Sequence, residues 1–182
     1  MGGREHTTKR GFNRATDMAR QPGSTFKPIA VYGPAVENGY SPASVVNDIP
    51  TNFGTSSKPY TPTNYDGTWR GLVSMRTAIQ YSINVPAVRF LQLIGVDPAL
   101  PYMQKMGIEL DKEKDSGLAV GLGGLTHGVS PLQMAAAYAT FANEGIYTEP
   151  YAITRITDRN GEEIYTNQTK QEVVFSKETA YL

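Results

Sequence analysis

The sequence predicts an α+β fold in which helices come first and strands follow. Up to about residue 145, apolar residues recur mainly at the three- and four-residue spacing of helices. Two β-prone runs, 151–157 and 162–166, then flank Asp158-Arg-Asn-Gly161, which is a typical hairpin turn. With 182 residues, the chain is long enough for one domain with a substantial core.

Composition excludes several classes of function. Lys plus Arg equals Asp plus Glu at 17 each, so charge gives no reason to expect nucleic acid or an anionic membrane as a partner. There are no cysteines and only two histidines, which excludes disulfides and thiolate metal sites. No apolar run approaches the roughly 20 residues of a membrane-spanning helix. We therefore expect a soluble chain with no metal and no cofactor.

The stretch Arg20-Gln-Pro-Gly-Ser24-Thr-Phe-Lys27-Pro28 begins the first predicted helix. Apolar residues continue at helical spacing from Ser24 to about Asn38, and Gly39 follows as a stop. Pro28 has no amide hydrogen to offer the Ser24 carbonyl, so we expect a distorted first turn.

Ser24 and Lys27 form a candidate nucleophile and base. Their spacing of three places both side chains on one face of a helix, where we expect the hydroxyl and the amine to touch. Burial would lower the pKa of Lys27 and let it accept the serine proton. A single Ser-x-x-Lys is short and common, and a helix cap beside a solvated lysine is the alternative.

Residues 40–70 are predicted to form a long loop rich in Ser, Thr, Asn, Pro and Gly. Loops of this length usually bind ligands or cover sites, although a surface excursion pinned by its own aromatics is equally compatible. Tyr60, Tyr65 and Trp69 could shape a peptide groove, but plain packing is the favoured interpretation.

Two further helices are predicted on either side of Ser82-Ile-Asn84-Val-Pro86. The first carries an apolar stripe from Leu72 to about Tyr81, and the second runs from Ala87 to Ile94 and is apolar almost all round. If the connection between them is extended, Ser82 and Asn84 point the same way and present a hydroxyl and an amide together. A short helix over 98–106 follows.

The segment 117–128 contains five glycines but has no Lys-Ser/Thr of a P-loop, so backbone flexibility near packed elements is favoured over phosphate binding. His127, within it, and His6 are assigned no catalytic role. Ser130-Pro-Leu-Gln133 predicts a capped core helix that runs to about Phe141. Ser176 to Leu182 is typical of a capped helix that has barely begun.

Taken together, several of these motifs resemble the transpeptidase domain of class A high-molecular-weight penicillin-binding proteins. The similarity covers nearly the whole chain and rests on Gly2-Gly3-Arg4, residues 20–28, residues 81–86, residues 125–145 and the hairpin. It implies a β-lactamase/transpeptidase-like α+β fold. The expected organisation of this partial domain, 1–182, is a leading strand or loop over 1–23, a helical part over 24–145, the hairpin over 151–166 and the start of a helix over 176–182.

The resemblance implies peptidoglycan D,D-transpeptidase activity. Ser24 would attack a stem peptide between its terminal D-alanines to form an acyl-enzyme, and Lys27 would activate Ser24. Ser82 would relay a proton to the leaving amine, and Asn84 would bind the substrate backbone and help to fix Lys27. Penicillins would acylate Ser24 in the same way.

One family element is not found in the sequence. Family members carry a Lys-Thr/Ser-Gly strand that supplies half of the oxyanion hole, whereas here Lys170 precedes Gln171 and Lys177 precedes Glu178. We therefore expect a helical subdomain that is largely present, a central antiparallel sheet that is incomplete, weak or no activity, and an exposed sheet edge through which homodimers could form.

Two alternatives to the transpeptidase remain at this stage. One is a hydrolase of the same superfamily, a serine β-lactamase or D,D-carboxypeptidase, which the residues around Ser24 match less well. The other is a non-catalytic scaffold or binding module with an incomplete pocket. The resemblance also implies a location at the extracytoplasmic face of the bacterial membrane, with an anchor outside this chain.

Overall fold

The computed structural model describes residue 9 and residues 11–182, and these fold as helices and short antiparallel strands around one core. The predicted α+β class is confirmed. Gly2-Gly3-Arg4 and His6 lie outside the described residues. A strand or loop is predicted over residues 1–23. Within this segment, Arg20 forms an isolated antiparallel bridge with Val129.

The first helical segment is irregular, as Pro28 predicts. A 3-10 turn spans Gly23–Phe26, a π-helical turn spans Pro28–Tyr32, and a regular helix, α1, spans Gly33–Glu37. The Ser24 carbonyl accepts a hydrogen bond from the Lys27 amide, so the 3-10 turn satisfies the oxygen that Pro28 cannot.

The predicted loop over 40–70 contains a strand that the sequence analysis missed. Strand β1, Val45–Asp48, pairs antiparallel with β2, Gly71–Ser74. The assignment of Leu72 to a helix is therefore wrong. Ser74 accepts a hydrogen bond from the Thr77 amide and caps α2, Met75–Gln80, so the helix begins only after the strand has ended.

The connection between α2 and the next helix is shorter than predicted and is not extended throughout. Ser82 adopts a left-handed conformation with φ of 50°, Ile83 is extended, and α3 begins at Asn84 and ends at Ile94. Pro86 fits within α3 because the first turn of a helix has no internal partner for its amides. Contrary to the prediction of burial all round, Leu93 is exposed.

The next two helices surround the core. Helix α4 spans Val96–Lys105, and α5 spans Pro131–Ala142. The predicted capping box of α5 is confirmed, because Ser130 and Gln133 each accept a hydrogen bond from the other's backbone amide. Helix α5 is less central than predicted, since Leu132 and Tyr138 are both more than 40 % exposed.

The C-terminal strands form two further two-stranded sheets among the described residues. Strand β3, Ile146–Thr148, pairs with β6, Gln171–Val173, which the sequence analysis did not predict. The predicted hairpin is confirmed as β4, Arg155–Thr157, and β5, Glu163–Thr166. The final helix, α6, spans Lys177–Tyr181 and is capped by Ser176 as predicted.

Phe175 joins this C-terminal part to the helices. Its ring stacks between those of Tyr102 and Phe141, with 5.3 Å between ring centroids on each side. Gly33 provides the necessary room, because a Cβ there would lie 2.8 Å from the Phe175 ring. The core therefore links α1, α4, α5 and the segment that follows β6. In the part of the chain that the structure describes, no helix is long and apolar enough to cross a membrane.

Candidate active site

The side chain of Lys27 is enclosed at the centre of the candidate site. Lys27 follows the 3-10 turn and precedes the π-helical turn, with Phe26 and Ile29 fully buried beside it. The lysine is only 2 % exposed. A buried ammonium needs hydrogen-bond acceptors, and the segment from Ser82 to Asn84 provides them.

Four acceptors lie within hydrogen-bond distance of the Lys27 ammonium, which has three hydrogens to share among them. Nζ lies 2.7 Å from the Ser82 carbonyl oxygen and 2.7 Å from Asn84 Oδ1. The Ser82 hydroxyl is 3.2 Å away and the Ile83 carbonyl oxygen is 3.3 Å away. The structure thus brings together three of the four predicted site residues, Lys27, Ser82 and Asn84. The side chains of Ser82 and Asn84 both reach the lysine, although the backbone turns at Ser82.

Ser24 is exposed and lies on the 3-10 turn one residue after Gly23. Among the hydrogen bonds of the described residues, none joins its hydroxyl to Lys27, so the expected direct contact is not found. The reason is that Lys27 extends inward to Ser82 and Asn84, whereas Ser24 faces solvent.

The turn that carries Ser24 is fixed from both ends. The Thr25 hydroxyl donates to the Pro22 carbonyl oxygen at 2.7 Å, and the Tyr138 hydroxyl of α5 donates to the Thr25 carbonyl oxygen at 2.7 Å. These bonds lock the backbone on either side of Ser24 and leave its hydroxyl accessible.

The glycine-rich segment packs directly against this turn. A Cβ at Gly123 would collide with the backbone of Gly23, and a Cβ at Gly128 would lie 2.6 Å from the carbonyl group of Arg20. Both glycines have positive φ, of 77° and 69°. The glycine content predicts backbone flexibility here, and the structure instead uses the absent side chains for close backbone approach.

Asn84 is oriented by residues of the long loop that the sequence analysis did not identify. Its Nδ2 donates to the Thr63 carbonyl oxygen at 2.7 Å, and its backbone amide donates to Asn64 Oδ1 at 3.0 Å. Asn64 Nδ2 in turn donates to Asp48 Oδ1 at 2.7 Å. No motif marks Asn64 or Asp48, and the only sequence clue is their position in a loop predicted to serve a site.

The side chains of the loop aromatics and of His127 take no part in these hydrogen bonds. Tyr65 is fully exposed, which makes the packing interpretation wrong for this residue, and Trp69 is 36 % exposed. Tyr60 is partly buried, and burial raises the pKa of its hydroxyl. His127 is exposed in the glycine-rich segment.

Burial controls the protonation of the central lysine. Desolvation of the ammonium lowers the pKa of Lys27 from 10.5 to about 8. At neutral pH a minority of Lys27 side chains is therefore neutral and able to accept a proton. A buried amine with a lowered pKa that is hydrogen-bonded to a hydroxyl is common at sites of proton transfer.

Comparison with known proteins identifies the family. The model of the penicillin binding protein transpeptidase domain matches residues 1–182. The chain therefore belongs to the penicillin-binding protein transpeptidase family, as the sequence motifs indicated. It is 48 % identical over its full length to Penicillin-binding protein 1F of Bacillus subtilis and 36 % identical to Penicillin-binding protein 1A of Clostridium botulinum. The chain covers 24 % and 23 % of these two relatives.

Solved structures support the same fold. Penicillin-Binding Protein 1A of Haemophilus influenzae superimposes with a TM-score of 0.77 at 32 % identity, over 88 % of this chain and 24 % of that one. Penicillin-binding protein A of M. tuberculosis, as an imipenem acyl-enzyme complex, gives 0.79 at 25 % identity over 93 % of this chain and 43 % of that one. The predicted transpeptidase-like fold with an incomplete central sheet is confirmed.

The close approach of Gly123 to the Gly23 backbone predicts that a side chain at position 123 destabilises the fold. Gly123→Ala should lower the free energy of unfolding by more than the about 1–2 kcal/mol expected for positive φ alone, because the methyl group displaces the Ser24 turn. Gly67→Ala is the matched control, since Gly67 has φ of 67° and open space around it. Urea unfolding measures both variants, and equal losses would contradict the packing argument.

The lowered pKa of Lys27 predicts how stability depends on pH. Between pH 8 and 10.5 the unfolded chain holds the Lys27 proton and the folded chain releases it, so the contribution of Lys27 to the free energy of unfolding rises with pH. Below pH 8 both states are protonated and this contribution is flat.

Lys27→Met removes this titration and leaves other groups unchanged, which makes it the reference. Urea unfolding of both proteins from pH 7 to 10.5 should give a difference that moves in favour of the lysine protein above pH 8. A difference that stays constant over this range would show that the lysine is not desolvated.

Proposed function

We propose that this chain supplies the attacking residues of a peptidoglycan D,D-transpeptidase, with Ser24 as nucleophile, Lys27 as its activating base, Ser82 as proton relay and Asn84 as substrate-binding residue. The observation that carries the proposal is the buried Lys27 ammonium, bonded to Ser82 and Asn84 and three residues from the exposed Ser24. The family membership gives this cluster its chemical context.

The first half of the reaction transfers an acyl group to Ser24. In the substrate complex the Ser24 hydroxyl must come within hydrogen-bond distance of Lys27 Nζ, a contact that the described hydrogen bonds do not include. Neutral Lys27 then takes the Ser24 proton, and Oγ attacks the carbonyl carbon between the terminal D-alanines of a stem peptide. Collapse of the tetrahedral intermediate breaks the C–N bond, and Ser82, in hydrogen-bond contact with Lys27, passes a proton to the departing D-alanine amine. The products are free D-alanine and an ester on Ser24.

The second half transfers the acyl group to an amine of another stem peptide. That amine attacks the ester carbon, loses a proton toward Lys27, and displaces Ser24 as an alcohol. A β-lactam enters the same first step, but its amine stays tethered after the ring opens and so remains attached to the acyl-enzyme. The imipenem acyl-enzyme of the M. tuberculosis protein supports β-lactam binding in this family.

The backbone amide of Ser24 is suited to one half of an oxyanion hole because it opens a helical turn. The other half comes, by family resemblance, from the Lys-Thr/Ser-Gly strand, whose triplet does not occur among these 182 residues. Loss of one oxyanion donor costs about a hundred- to a thousandfold in rate. We therefore propose weak or no activity for the chain by itself. Since stem peptides are cross-linked outside the membrane, we place this chemistry at the extracytoplasmic face.

A reporter penicillin tests the assignment of Ser24. Intact-mass measurement should find a weak adduct or none on the chain alone, and one adduct per molecule on the chain extended with the C-terminal strands of the B. subtilis relative's transpeptidase domain. Ser24→Ala should abolish the adduct, and Ser56→Ala, at an exposed loop serine, should retain it.

The other outcomes discriminate among the alternatives. Rapid turnover of the penicillin would indicate a β-lactamase or carboxypeptidase. An extended chain that forms no adduct would refute the nucleophile assignment and favour the non-catalytic scaffold, as would an adduct that survives Ser24→Ala.

We also propose that two copies associate through the edge of β2 that pairs with no other strand of the described residues. This strand, Gly71-Leu-Val-Ser74, carries no charge, and Leu72 is 73 % exposed, whereas β5 begins with a charged residue at its edge, Glu163. Uncharged free edges pair readily with a second chain. Leu72→Lys should shift sedimentation toward the monomer, and Ile164→Lys in β5 should not. A wild-type chain that remains monomeric at high concentration would exclude this dimer.

A further inference from the structure

The side chains of Asp48 and Asn64 form a buried pair beside the candidate active site. Asp48 is fully buried and Asn64 is 5 % exposed. Asn64 Nδ2 donates to Asp48 Oδ1 at 2.7 Å and to the Thr68 carbonyl oxygen at 2.8 Å. The second oxygen of Asp48 accepts from the Arg70 amide at 3.0 Å. Asp48 on β1 is thereby held from two points of the following loop.

Asn64 uses its remaining atom, Oδ1, to cap helix α3 from outside the helix. Oδ1 accepts from the amides of Asn84 and Val85 at 3.0 and 3.3 Å. Ile83, the residue at the cap position of α3, provides no side-chain cap. The first two amides of α3 would otherwise be buried without a partner, so Asn64 fixes where the helix begins and where Asn84 lies.

The neighbouring residue fixes the orientation of the Asn84 side chain. Asn84 Nδ2 donates to the Thr63 carbonyl oxygen at 2.7 Å, which turns Oδ1 toward Lys27 Nζ, also at 2.7 Å. The reverse orientation would place an NH2 group against the ammonium and an oxygen against a carbonyl oxygen. Thr63 and Asn64 therefore determine together that the lysine meets an acceptor.

We propose that Asn64, anchored by Asp48, is a positioning residue for acylation that acts through Asn84 on Lys27. The expected effect on acylation rests on the proposed function. The placement of Asn84 against Lys27 does not. The long loop over 40–70 then serves as a brace for the base, because it connects β1 to the first turn of α3. The exposed aromatics of the loop are not needed for this role.

Exchange of the two side chains tests the pair. Asn64→Asp places two carboxylates together. Asp48→Asn places an amide donor toward the Arg70 amide. Each single variant should therefore slow acylation of the extended chain at least about tenfold. In the double variant, the carboxylate at position 64 still accepts from the two α3 amides, and the side-chain amide at position 48 donates to that carboxylate. The carboxylate at position 64 has no hydrogen to donate to the Thr68 carbonyl oxygen, so we expect the double variant to acylate more slowly than the parent but at least about threefold faster than either single variant.

A matched control separates positioning from loop stability. Arg89 also ties this loop to α3, through Nε to the Asn47 carbonyl oxygen at 2.7 Å and Nη2 to the Thr51 hydroxyl at 2.6 Å, and among the described hydrogen bonds its side chain makes none with Asn64 or Asn84. Arg89→Gln should lower the melting temperature and leave acylation within about twofold of the parent. A double variant that is folded at the assay temperature but acylates no faster than the single variants, or equal slowing by Arg89→Gln, would overturn the proposal.

A second measurement does not depend on acylation. In the 182-residue chain, NMR titration of 13C-labelled lysine follows Lys27 directly. Asn64→Leu loosens Asn84 Oδ1 from the ammonium, so the titration midpoint should fall by at least about half a pH unit, whereas Arg89→Gln should not move it.

The two measurements separate the possible failures. An unchanged midpoint in Asn64→Leu would overturn the positioning role even if penicillin reacts normally. If the midpoint moves but no penicillin adduct forms in any version of the protein, the proposed function fails and the coupling of Asn64 to Lys27 stands.

Discussion

The structure depends on the burial of one ammonium group. Lys27 sits inside the first helical segment, where its desolvation costs free energy unless acceptors surround it. Those acceptors come from residues 82–84, more than 50 positions later in the chain. The segment after α2 must therefore return to the start of the first helix, and this requirement fixes the placement of α2 and α3.

The same burial links stability to chemistry. A lysine in water keeps its proton at neutral pH, and the enclosed Lys27 holds it less tightly because the charged form has lost its hydration. In the proposed mechanism, two of the residues that compensate for the lost water, Ser82 and Asn84, also handle the substrate. In that mechanism, the burial of the Lys27 ammonium, which destabilises the fold, is thus also what makes the lysine a base. Proteins commonly break the rule that charges stay in water at functional sites.

Close backbone packing positions Ser24, the proposed nucleophile. Gly123 and Gly128 have no side chains, so the segment that contains them lies directly against residues 20–23. Tyr138 of α5 fixes the other end of the turn through the Thr25 carbonyl. The exposed Ser24 is therefore carried by a rigid support made of three separate parts of the chain, and it needs no contact of its own with Lys27 to be positioned.

The sequence by itself determined the α+β class, the family, the capped helix α5, the hairpin, and the residue types of the candidate site, because these follow from local spacing and motifs. Only the tertiary structure decided that β1 and β3 exist, since each is stabilised by a partner strand distant in sequence. It also decided that the Lys27 ammonium bonds to the Ser82 hydroxyl and carbonyl while no described hydrogen bond joins it to Ser24, and that Asp48 and Asn64 brace Asn84. These contacts satisfy buried polar groups across long separations, and no local pattern encodes which distant residue will meet that need.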